Sequence, residues 1–312
     1  MSVKYVGYRF ARWLVNTLPA ASAFRCAERI ADLQRRRSAR DRDAVQANLS
    51  LILGAQIPEH SPLIREAFRN FGRYLVEFFT SHRVRQPEVI VDGYEYLTDT
   101  LRQAGRAIVL TAHLGNWELL GMWLHRSGIP ITAIALPHEN PRMDRLFNEQ
   151  RRRCGVNVIP LGPDAARRSL QALRQGRVLG LLADREFANS GIRITLCGRD
   201  VIFPRGPATL SLRGRAPVVP IFLIREGIWK FRLCCEPPVW PPSHGFPDAS
   251  IQTLTQQYAT VLERYLRRYP EQWLVFQPVT PIADCGLVKS AIENPKSEIQ
   301  NAVDIRRARV VG

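Results

Sequence analysis

The chain has 312 residues, of which 46% are hydrophobic, so it can build one large α/β domain or two modest ones. The formal net charge of +16 favours anionic partners such as nucleic acid, acidic protein, phosphorylated lipid or an anionic membrane. The six cysteines have neither CxxC spacing nor histidine neighbours at zinc-finger spacing, which argues against a disulfide scaffold and favours reduced thiols.

A basic amphipathic helix is predicted at the start of the chain, ending near Pro19. Val6, Phe10 and Trp13 recur at helical spacing, with arginines off that stripe. Such a helix can lie in a membrane interface with its aromatic rings inward; the alternative is an ordinary helix packed on the domain. The sequence has no signal-peptide pattern and no run of about 18 uncharged apolar residues that would span a bilayer.

From residue 107 onward, predicted strands alternate with predicted helices. The predicted helices are 22–37, 43–53, a long aromatic helix after Pro62, 116–125, 142–153, 164–175, 207–213 and 251–266. The predicted strands are 107–111, 131–136, 156–160, 178–183, 192–196, 218–224 and 230–236. This order predicts an α/β fold in which a mixed sheet is layered with helices. We divide the chain into membrane-associating N-terminal helices (1–40), a main domain (41–280) and a flexible tail (281–312).

The most informative motif is the segment His113-Leu114-Gly115-Asn116-Trp117-Glu118. His113 follows the apolar strand 107–111, and open α/β sheets usually place ligands at the carboxyl ends of their strands. Glu118 lies in the first turn of the following helix, from which we expect it to reach back to the imidazole. A carboxylate on one ring nitrogen fixes the tautomer and leaves the other nitrogen as a base. The alternative, a histidine that caps a helix or lies satisfied in the core, is equally compatible with the motif alone.

Four sequence blocks together resemble the bacterial lysophospholipid acyltransferase superfamily, and specifically the lipid A late acyltransferases. The blocks are Thr111–Glu118, Leu182-Ala183-Asp184-Arg185, Pro204-Arg205-Gly206-Pro207-Ala208 and Tyr269-Pro270-Glu271-Gln272-Trp273. The first block is similar to the His-x4-Glu/Asp signature of that family. The second and third are also similar to phosphatidylinositol mannoside acyltransferases, and the chain departs from the lipid A pattern after the Gln-Trp pair.

The resemblance implies a glycerol-3-phosphate acyltransferase-like fold and an acyl transfer reaction. His113 would take the proton from an acceptor hydroxyl, which attacks the thioester of acyl carrier protein or coenzyme A, and Glu118 would orient the ring. The expected acceptor is a lipid A precursor first, and a phosphatidylinositol mannoside, another glycolipid or a lysophospholipid second. The sequence has no G-x-S-x-G elbow and no evident metal-ligand cluster, so we expect neither a serine nucleophile nor a cofactor.

Further charged residues are candidates for binding substrate. The family resemblance places a functional arginine at Arg151 or its neighbour Arg152, where phosphate groups or an oxyanion would be held. Asp184 follows a buried strand as His113 does, and we expect it to support the site from behind, next to Arg185. Arg205 lies in a turn before a short helix whose N–H groups could receive an anion. For each of these, a solvated helix end or a plain structural turn is the alternative.

A different class of function, a basic nucleic-acid-binding protein, is suggested by charge alone. Its usual signs are absent from the sequence, namely zinc-finger spacing, an RNP-type aromatic block and a helix-turn-helix pattern. We therefore expect a peripheral enzyme on the cytoplasmic face of the bacterial inner membrane, held by its first helix and by positive charge.

Overall fold

The computed structural model describes residues 3–83, 87–187, 191–243 and 248–279. The helices are α1 (Val3–Thr17), α2 (Ala20–Arg37), α3 (Ala39–Leu53), α4 (Pro62–Thr80), α5 (Tyr94–Ala104), α6 (Trp117–Arg126), α7 (Pro141–Arg153), α8 (Ala165–Arg174), α9 (Gly206–Gly214) and α10 (Asp248–Arg268). The strands are β1 (Glu88–Asp92), β2 (Ala107–Thr111), β3 (Ile131–Ala135), β4 (Asn157–Pro160), β5 (Val178–Leu182), β6 (Ile192–Leu196), β7 (Arg199–Phe203), β8 (Val218–Gly227) and β9 (Lys230–Cys235). The tail predicted over 281–312 lies outside the described residues.

A seven-stranded mixed sheet forms the centre, with the order β1-β9-β8-β2-β5-β3-β4. Strands β8, β2, β5, β3 and β4 run parallel to one another, whereas β9 pairs antiparallel with β8. The predicted mixed α/β architecture is thus confirmed. Because β2, β5, β3 and β4 point the same way, their carboxyl ends meet along one edge of the sheet.

Strand β2 shows why a continuous apolar run marks a central strand. All five of its residues are buried, and helices cover both faces of the sheet. Ile108 and Leu110 belong to the core shared with α8, α9 and α10, whereas Val109 points into the core shared with α5 and α6. Burial on both faces removes the polar alternation of a half-exposed strand, as expected for parallel sheets.

Strand β6, predicted at 192–196, does not join the main sheet. It pairs antiparallel with β7 in a separate two-stranded hairpin. The hairpin contacts α10, where the Gln256 side chain bonds both the N–H and the carbonyl of Thr195, at 2.9 Å each. Periodicity alone does not reveal which strands pair, so the sequence could not separate this hairpin from the sheet.

The N-terminal helices pack against α4. Asp32 of α2 accepts hydrogen bonds from Arg65 (2.9 Å) and Arg69 (2.8 Å) of α4. Helix α1 contacts α4 and α7 on one side. On its other side Phe10 and Trp13 are 57% and 60% exposed. The structure therefore shows packing and an exposed aromatic face on the same helix, the two features that the sequence had offered as alternatives.

Candidate active site

The site lies at the carboxyl edge of the sheet, where β2 leads into α6. The Leu274 N–H donates to the His113 carbonyl at 2.7 Å, and the Gly115 N–H donates to the Gln272 carbonyl at 3.0 Å. Gly115 has φ +62°, and a Cβ there would lie 2.1 Å from the Leu223 carbonyl oxygen. Only glycine fits this backbone, which fixes the position of His113 against the rest of the fold.

Asp184, just after β5, positions His113 through both its ring and its backbone. Asp184 Oδ1 lies 2.9 Å from His113 Nδ1, and Oδ2 accepts the His113 backbone N–H at 2.9 Å. Oδ2 also accepts the indole N–H of Trp273 at 2.9 Å. Because β2 and β5 are adjacent parallel strands, His113 and Asp184 leave the same edge of the sheet side by side.

Asp184 remains ionised in this setting. Burial raises the pKa of its carboxyl, but the charge and hydrogen bonds of His113 and the hydrogen bond of Trp273 outweigh burial and set the pKa below its ordinary value. An ionised carboxylate only accepts, so His113 Nδ1 carries the proton that the two atoms share. The lone pair is then on Nε2, the nitrogen a general base needs.

Glu118 does not orient His113, so the predicted contact between these two residues is wrong. Its carboxylate instead accepts from Arg151 of α7, at 3.1 Å from Nε to each oxygen and 2.6 Å from Nη2 to Oε1. The reason is geometric. Asp184 already binds Nδ1 and the backbone N–H of His113, whereas the first turn of α6 faces α7, where a guanidinium offers a bidentate charge-assisted partner.

The Glu118–Arg151 pair shapes the electrostatics around it. Burial lowers the pKa of Arg151, but the charge and hydrogen bonds of Glu118 raise it more, so the guanidinium stays charged. Burial, and then the Glu118 charge, raise the pKa of Tyr74 well above its usual range. Burial, and then Arg151, lower the pKa of His138. Arg151 and Glu118 therefore form an ion pair beside the neutral Tyr74.

A cavity of about 920 Å³ opens beside these groups and includes His113, Glu118 and Arg151 in its lining. Its wall on the α6 side of the sheet is apolar, with Val109, Leu120, Gly121, Ile131, Ala133, Val156 and Gly180. Its wall on the other side lies between α8 and α9, with Ser169, Leu170, Gly206, Thr209, Leu210 and Arg213. We call this space the active-site cavity.

The remaining predicted residues divide between the cavity and the surface. Arg185 and Arg205 line the cavity, and Arg185 also stacks over Phe187 at 4.6 Å and bonds Gln277. Burial lowers the pKa of Arg185. Arg152 is exposed on α7 and does not line the cavity, because the helix turns it away from Arg151.

A buried ionic network that the sequence did not reveal supports the site. Glu77 of α4 accepts two bonds from Arg225 of β8, at 2.7 and 2.6 Å, and one from Asn116 at 2.6 Å. Asn116 in turn caps α6 through the Leu119 N–H at 3.0 Å. The Gln272 side chain bonds the N–H and the carbonyl of Arg225, at 2.9 Å each, next to the Trp273 that bonds Asp184. The network thus anchors both the start of α6 and the segment behind His113.

The described residues contain no group of three or more His, Cys, Asp or Glu side chains that could hold a metal ion. No helix among them is both long enough and apolar enough to cross a bilayer. The five cysteines within the described ranges are free thiols.

Comparison with known proteins places all of these residues within one family match. The model of the bacterial lipid A biosynthesis acyltransferase family matches residues 3–279. The chain is 27% identical over 249 residues to a phosphatidylinositol mannoside acyltransferase of Mycobacterium tuberculosis, covering 76% of each chain. It is 27% identical over 286 residues to the protein of the same name from Mycolicibacterium smegmatis, covering 88% of this chain and 90% of that one. Identity to a lipid A biosynthesis acyltransferase of Haemophilus influenzae is 25% over 142 residues, covering 45% and 44% of the two chains.

Proposed function

Because the chain belongs to the bacterial lipid A biosynthesis acyltransferase family, we propose that it transfers a fatty acyl chain from an acyl thioester to a hydroxyl of a membrane glycolipid. The observation that carries this proposal is the His113–Asp184 pair at the edge of an apolar cavity of about 920 Å³. A base with a fixed tautomer beside room for a hydrocarbon chain is what acyl transfer to a hydroxyl requires.

In the proposed reaction, His113 Nε2 removes the proton of the acceptor hydroxyl while the oxygen attacks the thioester carbonyl carbon. The tetrahedral intermediate collapses with cleavage of the C–S bond, and the imidazolium returns the proton to the departing thiolate. Asp184 stabilises the imidazolium without touching substrate, so it is a positioning residue. Transfer is direct, and no covalent intermediate with the enzyme forms.

The charged residues around His113 divide into two roles in this proposal. Arg151 directs Nε and Nη2 to Glu118 and Nη1 to Asn148, so we assign the Glu118–Arg151 pair to holding α6 against α7. The active-site cavity is also lined by Arg185, Arg205 and the N-terminal end of α9. We assign these cations and N–H groups to the anionic parts of the substrates and to the developing oxyanion.

The acyl chain fits the wall of the cavity on the α6 side. Val109, Gly180 and Ala133 form one row across β2, β5 and β3, and the two small residues open a groove there. Ile131 and Val156 close the groove: a Cβ on Gly180 would lie 3.2 Å from Ile131, and one on Gly121 would lie 3.1 Å from Val156. Chain length would then depend on the volume left at these two glycines.

Two glycolipid acceptors are supported by separate observations. A lipid A precursor follows from the description of the matching family. A phosphatidylinositol mannoside follows from relatives of that name, which align over 76–90% of their length, whereas the lipid A relative aligns over 44%. The donor is acyl carrier protein or coenzyme A, both of which present the acyl group as a thioester.

We further propose that the enzyme works as a peripheral protein on the cytoplasmic face of the inner membrane. The exposed Phe10 and Trp13 of α1 and the net charge of +16 support this attachment. Domain limits at residues 40 and 280, and a glycerol-3-phosphate acyltransferase-like classification, remain predictions.

The test is acyl transfer by the purified chain in every combination of two donors and two acceptors, with products identified by mass spectrometry. Acyl carrier protein and coenzyme A thioesters are each paired with a lipid A precursor and with a phosphatidylinositol mannoside. We expect an ester on one glycolipid, with one donor preferred. Hydrolysis of donor without any acylated glycolipid would overturn the proposal, as would co-purified nucleic acid in place of lipid.

A further inference from the structure

A second pocket lies between α1, the end of α4 and α7. Its volume is about 480 Å³, and its lining includes Arg9, Arg12, Trp13, His82, Glu149 and Arg153. Tyr8, one helical turn before Arg12, lines the active-site cavity instead. We call this space the α1–α7 pocket.

The charges in the α1–α7 pocket are not balanced. Three arginines face one glutamate, and the ion pair between Arg12 and Glu149 is loose at 3.9 Å. Within the described ranges, neither Arg9 nor Arg153 has a carboxylate partner. Burial, and then the like charge of Arg153, lower the pKa of Arg12. Guanidinium groups that repel each other around a cavity favour an anion between them.

His82 adds a neutral donor to the same pocket. Its Nδ1 lies 3.2 Å from the side-chain amide of buried Gln150, whose NH₂ donates to it. The proton of the neutral ring is then on Nε2, which is left for a ligand. Burial, and then the charges of Arg153 and Arg12, lower the pKa of His82, so the neutral ring is favoured. Guanidinium groups and one neutral N–H donor together match the acceptor oxygens of a phosphate.

The helix that supplies Arg9 and Arg12 also presents an apolar face to the outside. Phe10 and Trp13 are exposed, their ring centroids lie 5.7 Å apart, and Val6 is exposed beside them. Trp13 both lines the pocket and stands at the surface. Aromatic rings beside a cationic pocket match the boundary between phosphate headgroups and acyl chains in a bilayer.

We propose that the α1–α7 pocket binds the phosphate of an anionic membrane phospholipid, held by Arg9, Arg12 and Arg153. This inference rests on the proposed attachment of the enzyme to a membrane, and it adds a lipid site separate from the acceptor and donor sites. Because α1 and α7 also border the active-site cavity, through Tyr8 and Arg151, a lipid bound here fixes how the cavity faces the bilayer.

The test measures binding without turnover, so it is independent of the proposed reaction. The probes are short-chain phosphatidylglycerol below its micellar concentration, inorganic phosphate, and phosphatidylcholine vesicles with and without phosphatidylglycerol. The double variant Arg12→Gln/Arg153→Gln is compared with Arg168→Gln/Arg174→Gln, which removes the same charge from exposed positions of α8. Thermal unfolding verifies that both variants fold.

We expect the pocket variant to bind short-chain phosphatidylglycerol about tenfold or more weakly than the wild type, from the loss of charge-assisted hydrogen bonds. The α8 variant should retain that affinity, and inorganic phosphate should not compete at equal concentration. If the two variants lose affinity for short-chain phosphatidylglycerol equally, the lipid is attracted by the overall positive charge and not by this pocket, which would overturn the proposed site. Competition by inorganic phosphate at equal concentration would show that the pocket binds free phosphate, and this result would overturn the lipid as its ligand.

Discussion

His113 works as a base only if Asp184 keeps its ring in one tautomer. Nδ1 bonds the buried carboxylate at 2.9 Å, which directs the free lone pair to Nε2. An amide at position 184 can donate to Nδ1 and so reverse the tautomer. Asp184→Asn should therefore lower kcat about 10²- to 10⁴-fold with little change in KM. A KM effect with normal kcat would contradict the assigned role.

The low pKa of Asp184 also predicts how stability changes with pH. Its folded-state pKa lies below the ordinary value of 3.8. Its stabilisation is thus complete above the unfolded value and is lost as pH falls through the folded one. The difference in unfolding free energy between wild type and Asp184→Asn should be constant near neutral pH and shrink below about pH 4. Denaturant titrations over pH measure it, and a difference that grows on acidification would contradict the assignment.

Glu118 and Arg151 should behave as one unit. Removing either leaves the other charged and largely buried, so Glu118→Ala and Arg151→Ala should each lower activity and stability. The double variant should be no worse than the more damaging single one, because both changes break the same pair. A double-mutant cycle in kcat measures this coupling. If the losses in kcat at Glu118 and Arg151 are additive, and Glu118 is coupled to His113 instead, the contact between Glu118 and His113 predicted from sequence would be supported.

At these residues the sequence predicted which side chains are candidates for the site, but it did not predict all of their partners. His113, Arg151 and Asp184 follow from the motif and the resemblance. The partner of His113 does not, because Glu118 is near in sequence and Asp184 is near only through the pairing of β2 with β5. Glu77 and Arg225 gave no signal either, since Glu77 is one charged residue within an apolar stretch and Arg225 stands at the end of another, beside Glu226.

Helix α6 and the segment behind His113 depend on the Glu77–Arg225 pair. Arg225→Met leaves Glu77, whose side chain is 0% exposed, without its ionic partner and should cost about 3–5 kcal/mol of unfolding free energy. Arg232→Met is the matched control on the neighbouring strand, because its ion pairs with Glu226 and Asp92 lie at the surface. Chemical denaturation compares them, and an equal small effect in both would show that the network is not essential.

The strength of the periodic signal decided which elements could be predicted. The buried strands β2, β5 and β8 and the long helices α4 and α10 were predicted at nearly their observed positions. Strand β1 and helix α5 were missed. β1 is an edge strand with mostly exposed residues, so it lacks the apolar run that marks a central strand. β7 was missed because it begins with two charged residues, Arg199 and Asp200, and only Val201 and Phe203 are buried, so it lacks an apolar run.

For the molecule as a whole, the net charge of +16 and the exposed face of α1 predict two components of membrane binding. Charge is screened by salt, whereas insertion of aromatic rings is not. High salt should release part of the protein from anionic vesicles. Phe10→Glu with Trp13→Glu should shift it to the soluble fraction. Liposome flotation with and without anionic lipid tests this. A double variant that floats like the wild type would show that α1 is not the anchor.

The central claim, that His113 is the base of an acyl transfer, is tested most directly by the turnover of His113→Ala. His60→Ala, at an exposed histidine away from the cavity, is the control, and thermal unfolding verifies that both variants are folded. We predict that His113→Ala loses about 10²- to 10⁴-fold in kcat and that His60→Ala keeps normal activity. Near-normal acyl transfer by folded His113→Ala protein would contradict the mechanism.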